Sequence, residues 1–252
     1  MLRQGVPQVS GNEKCTTGSV SLAQCRSMPL KAQLDACRRE YEADAEPRVI
    51  DAARRSIQAL AETGLVSRAV TAGDTAPLFR LRCGPGGSFN LADLLTRGPV
   101  VTSFLWGDWC PFCVLELQAL AAAHPEIERL GATLVALSPQ ARAKSSPAGS
   151  GGEPPFPVMQ DPGCGIAARY RITYAVPERF RAAYVALGYP NPAKTGSKGW
   201  MLPIPATYVL DSTVLVMLSY LDADYTTRLQ PTEIVVALTH LRAASIPARN
   251  NR

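Results

Sequence analysis

Apolar positions along this chain change period several times, and each change marks an element. Leu30, Leu34, Cys37 and Tyr41 recur at three- and four-residue steps with charge between them, which predicts a helix over 29–43. Ile50, Ala53, Ile57 and Leu60 repeat that spacing from Pro47 until Gly64. The two helices are expected to lean on the main domain as a hairpin. The period then shortens. Residues 78–82 and 88–91 read as strands about Gly84-Pro85-Gly86-Gly87, and 99–106 has the unbroken apolar character of a buried strand. From Pro111 a helix is predicted with Val114, Leu117 and Ala121 inward, and residues 131–138 form the next apolar strand. Strand, helix, strand in that order implies a parallel unit.

Further on, residues 139–155 become rich in Ala, Ser, Gly and Pro, the composition of a flexible excursion. A short strand over 156–160 and helices over 163–170 and 177–187 are expected next. Residues 206–210 and 214–221 read as a hairpin about Asp211-Ser212, and a helix over 231–241 turns Ile234, Leu238 and Leu241 inward. Residues 1–28 are polar and irregular, hence expected to be disordered. The organisation is then a disordered segment 1–28, a helical extension 29–71, a main α/β domain 72–243 and a tail 244–252. No internal repeat is found.

Composition narrows the function classes. Apolar residues at 46% and charged residues at 19% fit a globular chain, and the net charge of +5 is spread without a dense Lys/Arg run. Nucleic-acid binding is therefore not expected, nor is membrane insertion, since no apolar stretch approaches a span. Arg3, Glu13, Lys14 and Arg26 interrupt the first 28 residues, and no export leader is read there. With seven cysteines, an odd number, a reducing cytosol is expected, where disulfides are catalytic rather than structural.

Candidate chemistry lies at Cys110-Pro111-Phe112-Cys113, between the buried strand and the helix. A thiol at a helix start faces unsatisfied N–H groups and the positive end of the dipole, and both favour the reactive thiolate. Cys113 returns to the same face, within reach of a reversible disulfide. Zinc and a structural disulfide are the competing readings. Zinc wants four ligands, yet no second Cys-x-x-Cys exists, and His124 and His240 form no paired motif. So small a structural loop would stabilise little. No cofactor or metal is expected. His124 lies about 21 Å along the helix from Cys110 and is no base for it. Asp108 reads as solvent-facing, Glu116 as an ordinary helix-surface carboxylate in preference to a buried proton carrier, and Asp161 as a helix cap. Cys37 reads as a small core residue, Cys15 and Cys25 as bystanders, Cys83 as structural or accidental, and Cys164 as a bystander in preference to a second resolving thiol. Trp106 and Trp109 are candidates to wall the site.

The segment 103–113, Ser-Phe-Leu-Trp-Gly-Asp-Trp-Cys-Pro-Phe-Cys, resembles the active-site segment of thioredoxin-fold proteins. Residues 131–140, Gln160-Asp161-Pro162-Gly163 and residues 203–211 narrow the resemblance. They are similar to the peroxiredoxin-like branch of the alkyl hydroperoxide reductase and thiol-specific antioxidant superfamily. The resemblance runs from about Gly73 to Leu241. It implies a thioredoxin-like fold, a central mixed sheet flanked by helices, with the N-terminal helices added to it. It implies a thiol-dependent peroxidase with Cys110 as the attacking thiol and Cys113 as the resolving one. Its partners would be a peroxide and a thioredoxin-like dithiol reductant, with a homodimer allowed. Pro205 matches the proline, usually cis, that faces the redox cysteines and offers its backbone to substrate. The other readings are a thiol–disulfide oxidoreductase acting on proteins and a redox-sensing interaction protein with little turnover.

Three positions depart from the family pattern. Gly107 stands where peroxiredoxins carry Thr or Ser, Pro205 stands where they carry an arginine, and Phe104 replaces the buried Asp of thioredoxins. The expectation is a Cys110 thiol below its usual value of about 8.5, coupled to slow peroxide reduction.

Overall fold

The structure is a computed structural model that describes residues 28–83, 87–140, 153–190 and 199–245. The expected disordered segment, the centre of the flexible excursion and the end of the tail lie outside the described residues. Two antiparallel strands come first in the main domain, β1 (Arg80–Cys83) and β2 (Gly87–Asn90). The central sheet follows, built from β3 (Val100–Phe104), β4 (Thr133–Ser138), β5 (Val158–Gln160), β8 (Ala206–Leu210) and β9 (Val216–Leu221). Its order is β5-β4-β3-β8-β9, with β3, β4 and β5 parallel and β8 and β9 antiparallel to their neighbours. A mixed sheet flanked by helices is thus the observed architecture. β3 is buried along its whole length because both faces of the sheet are covered, which suits its Val-Val-Thr-Ser-Phe sequence.

The sheet divides two apolar cores. Val100, Phe104, Val135 and Leu137 pack to one side against α4 (Leu91–Leu95) and α6 (Gly165–Arg169). Val101, Leu134 and Val209 pack to the other against α5 (Pro111–Arg129), α7 (Glu178–Ala186) and α8 (Pro231–Ser245). That second core also takes Leu30, Leu34 and Cys37 of α1 (Leu30–Asp44), the same three residues that the helical spacing turns inward. α2 (Pro47–Glu62) follows α1, stops before the left-handed Gly64, and leads into the short α3 (Leu65–Arg68). The predicted hairpin is present, and α1 is part of the wall that encloses both redox cysteines.

Some elements differ from expectation. Leu91 does not end a strand but opens α4, because the Asn90 side chain accepts a hydrogen bond from the Ala92 amide at 3.3 Å and caps the helix. β6 (Thr173–Ala175) and β7 (Met201–Pro203) pair with each other, and runs of three residues carry too little alternation to be read. On α5, Val114 and Ala121 are only half-buried, while Phe112, Cys113, Glu116, Leu117, Leu120, His124 and Ile127 are buried. The helix is enclosed on several sides, so its buried face is wider than one stripe.

Candidate active site

The topology brings three chain segments to one end of the sheet. Phe104 ends β3 and pairs with Ala206 at the start of β8, which pairs in turn with Leu221 at the end of β9. The turn after β3, the Pro205 region before β8 and the loop after β9 therefore meet. Cys110 is the N-cap of α5 with Pro111 at the first helical position, as the sequence suggests. Its amide donates to the Gly107 carbonyl at 3.2 Å, and its carbonyl accepts the Cys113 and Val114 amides at 3.1 Å each. Both cysteines are thiols here, and both are buried.

Although Pro205 carries no guanidinium, an arginine from another part of the chain reaches the pair. Arg228, in the loop after β9, donates through Nη2 to Cys113 Sγ at 3.2 Å. Its Nε donates to Glu116 Oε2, and Nη1 donates to the carbonyls of Tyr225 at 2.5 Å and Thr227 at 2.6 Å. Glu116 is not a surface carboxylate. It is buried, and its other oxygen accepts from Ser103 Oγ at 2.7 Å and Thr207 Oγ1 at 3.4 Å. The Arg228–Glu116 pair is thus satisfied on both sides, the condition under which a buried ion pair is tolerated. The only hint in the sequence was topological: a hairpin made of β8 and β9 must return the chain to the redox end, and Arg228 lies in the loop that follows.

The hydrogen bond between the thiols and that arginine together favour a negative charge at Cys113. Burial pushes the Cys110 thiol well up, and its hydrogen bond with Cys113 adds to this, so the expected depression at Cys110 is not found. Burial also works against an anion at Cys113. It is outweighed by the Cys110 hydrogen bond and the Arg228 charge, which bring Cys113 down to about 7. The Trp106 amide adds a donor to Cys113 Sγ at 3.5 Å. Helix polarity alone favours the first cysteine; burial opposes an anion at both, and the hydrogen bond between the thiols, with a guanidinium beside the second, favours the anion at Cys113. Burial disfavours the Arg228 cation as well, but Cys113 and Glu116 outweigh it and hold its proton more tightly than usual.

Aromatic rings surround the pair. Trp106 is buried, its Nε1 donates to the Pro203 carbonyl at 2.7 Å, and its ring lies 4.6 Å from Tyr225 and 5.4 Å from Trp109. The indole is thereby fixed as part of the wall. Trp109 is only half-buried, stacked on Trp106 and met edge-on by Tyr189 at 5.0 Å, so it is the tryptophan placed toward the surface. Phe112 contacts Tyr41 of α1 and Tyr225, at 6.5 and 6.0 Å. Pro205 is buried at this same end, but its peptide bond is trans: no described peptide bond is cis.

The remaining expectations sort quickly. His124 is buried against Phe156, with Nδ1 3.4 Å from Glu128, away from the cysteines along α5. Asp161 accepts the Ile166 and Ala167 amides at 2.9 Å each, as a helix cap does. Cys164 is buried with its thiol directed at the Met201 carbonyl at 3.6 Å, and burial pushes it up to about 12. Cys15 and Cys25 lie outside the described residues, as does the side chain of Cys83. Among the described residues, no group of three or more His, Cys, Asp or Glu is placed to hold a metal ion. None of the described helices is long and apolar enough to cross a membrane.

A mixed five-stranded sheet flanked by helices in this order is the architecture of a peroxiredoxin-like protein of the thioredoxin fold. The AhpC/TSA family matches residues 72–218, and the chain belongs to that family. Among solved structures it is similar to the peroxidoxin BcpB of Mycobacterium tuberculosis, at 19% identity and a TM-score of 0.51, over 68% of this chain and 98% of that one. A mutant peroxiredoxin 6 of Arenicola marina matches at 19% identity and a TM-score of 0.54, over 70% and 76%. The reduced 2-Cys peroxiredoxin of Plasmodium vivax matches at 16% and 0.51, over 69% and 83%. At these identities the likeness concerns the fold. No curated protein matches the sequence.

Proposed function

We propose that the chain is a thiol-dependent peroxidase that reduces hydrogen peroxide or organic hydroperoxides through Cys110 and Cys113. A thioredoxin-like dithiol would restore the pair. The observation that carries this reading, alongside family membership, is the buried pair of thiols with Arg228 against Cys113, an arrangement that favours one negative charge shared by the two sulfurs. Two thiols this closely coupled titrate as a unit, and the proton can sit on either sulfur.

In the resting pair the proton is on Cys110. Its transfer to Cys113 creates the Cys110 thiolate, which attacks one peroxide oxygen. The S–O bond forms and the O–O bond breaks, leaving Cys110 as a sulfenic acid. The departing oxygen takes the proton held on Cys113 and leaves as water or alcohol. The regenerated Cys113 thiolate displaces hydroxide from the Cys110 sulfur, a solvent proton makes it water, and the disulfide closes. Arg228 stabilises the charge whenever it returns to Cys113, and the aromatic wall restricts water around the sulfurs. Trp109, at the outer edge, and the backbone near Pro205 are the groups placed to meet a substrate.

Stopped-flow oxidation of the reduced chain by hydrogen peroxide tests this. The expected rate is well above that of free cysteine, with one disulfide formed per peroxide consumed. A rate equal to free cysteine overturns the reading.

A second reading has its own support. A low-pKa Cys113 behind Cys110 would also resolve a mixed disulfide formed on Cys110, as in a thiol–disulfide oxidoreductase. Insulin reduction without peroxide acceleration would select it. A reversible disulfide with neither activity would leave a redox-sensing role.

A further inference from the structure

Resting on the peroxidase reading, we propose that Gln140 supplies the hydrogen bond that the missing Thr or Ser at position 107 would have given to the peroxide. Gly107 has φ +150°, a region that side-chain-bearing residues rarely adopt. A Cβ added there would lie 2.2 Å from Gln140 Oε1 and 3.0 Å from Trp109 Nε1. The Gln140 carboxamide, two residues past the end of β4, therefore occupies the space where a side chain on residue 107 would begin. Residue 107 accepts the Cys110 amide, so this space adjoins the turn that carries the attacking thiol.

Gln140 Oε1 is buried and has no hydrogen-bond partner, one of four such side-chain atoms among the described residues. An unpaired buried acceptor carries a desolvation penalty that a donor removes on arrival. The Gln140 amide donates to Ser138 Oγ at 3.2 Å, and that hydroxyl donates to the Trp106 carbonyl at 3.1 Å. The residue is tied to the strand end that precedes the redox turn. A hydroperoxide O–H is a donor of the right kind. Donating to Oε1, it would present the same oxygen to Cys110, which becomes the sulfenic oxygen and keeps that hydrogen while the O–O bond breaks. Gln140 is then a catalytic residue that touches substrate, and Gly107 is the residue that makes room for it.

The test uses the full chain with Gln140→Leu and Gln140→Met, which keep bulk and remove the acceptor. Each is assayed twice: by stopped-flow oxidation with hydrogen peroxide, and by iodoacetamide alkylation across pH, which requires no peroxide proton to be held. Peroxide oxidation is expected to fall about tenfold, the worth of one hydrogen bond, while the alkylation profile stays in place. Unchanged oxidation in a folded variant overturns the proposal, as does an equal loss in both assays, which would mark Gln140 as structural. The Met variant serves if the Leu variant does not fold. Wild-type oxidation no faster than free cysteine would be a separate outcome, overturning the peroxidase reading together with this role.

Discussion

Arg228 donates to the sulfur of Cys113 at 3.2 Å, although 115 residues separate them. The contact sets a positive charge against the second cysteine, adding to the hydrogen bond from Cys110 that lowers it, and it leads to a direct test. Below about pH 7 Cys113 takes up a proton and the pair loses its anion. Peroxide oxidation should therefore fall as pH drops through that value and be maintained above it. Arg228→Met removes a charge that lowers the thiol, so both thiolate absorbance and oxidation should move to higher pH. A profile that does not move would show that Arg228 does not act on the pair.

The two cysteines are expected to fail differently. Cys110→Ser should abolish turnover. Cys113→Ser should still permit one oxidation at Cys110, seen as a gain of one oxygen by intact-mass analysis, but no recycling by a dithiol. Normal recycling by both variants would place the chemistry at another cysteine.

Glu116 gives a stability test. It is buried and ion-paired with Arg228, so Glu116→Ala leaves a guanidinium enclosed without its carboxylate. Breaking a buried pair from one side typically costs about 3–5 kcal/mol. Urea denaturation of the reduced protein should show a loss of that order. A loss no greater than that of a surface substitution would mean the pair is solvated in solution.

Arg38 of α1 is paired with Asp224, four residues before Arg228, and also donates to Thr226 Oγ1. The contact is partly exposed, so Arg38→Ala should cost only about 0.2–1 kcal/mol in stability. Its larger effect is expected on the site, by loosening the loop that positions Arg228. Cys113 should then titrate at higher pH. An unchanged titration would detach α1 from the chemistry.

Gly107→Thr restores the residue type usual in peroxiredoxins, yet it should not restore a faster enzyme. The end of Gln140 can swing aside, but the backbone angle cannot be adopted cheaply, and such strain costs on the order of 1–3 kcal/mol. Lower thermal stability without a gain in peroxide rate is the expected result. A faster, equally stable variant would contradict the assignment of that space to Gln140.

The sequence carried much of this. Apolar periodicity placed β3, α5 and β4 and the stripe Leu30, Leu34, Cys37, because each is long or buried enough to impose its period. Cys110 at a helix start followed from proline at the next position. β6 and β7 were not legible, being three residues each and paired only with each other. Arg228 was missed, and Glu116 was read first as a surface carboxylate, for a different reason. A charged residue reads as exposed unless its partner is known, and theirs lie 112 residues apart. Gln140 was legible only as part of a family-like segment; its meaning depends on the vacancy at Gly107, which sequence spacing does not connect to it.

The family match ends at residue 218, ten positions short of Arg228, and begins at 72, beyond the helix that bears Arg38. A chain trimmed to the recognisable family region would retain both cysteines but lose the guanidinium beside them and the clamp on its loop. Such a fragment would keep the motif while giving up the electrostatic setting that distinguishes it. On the proposed mechanism, the charge that lowers Cys113 is encoded outside the part of the sequence by which kinship is detected, so relatives with other flanks are expected to differ in chemistry.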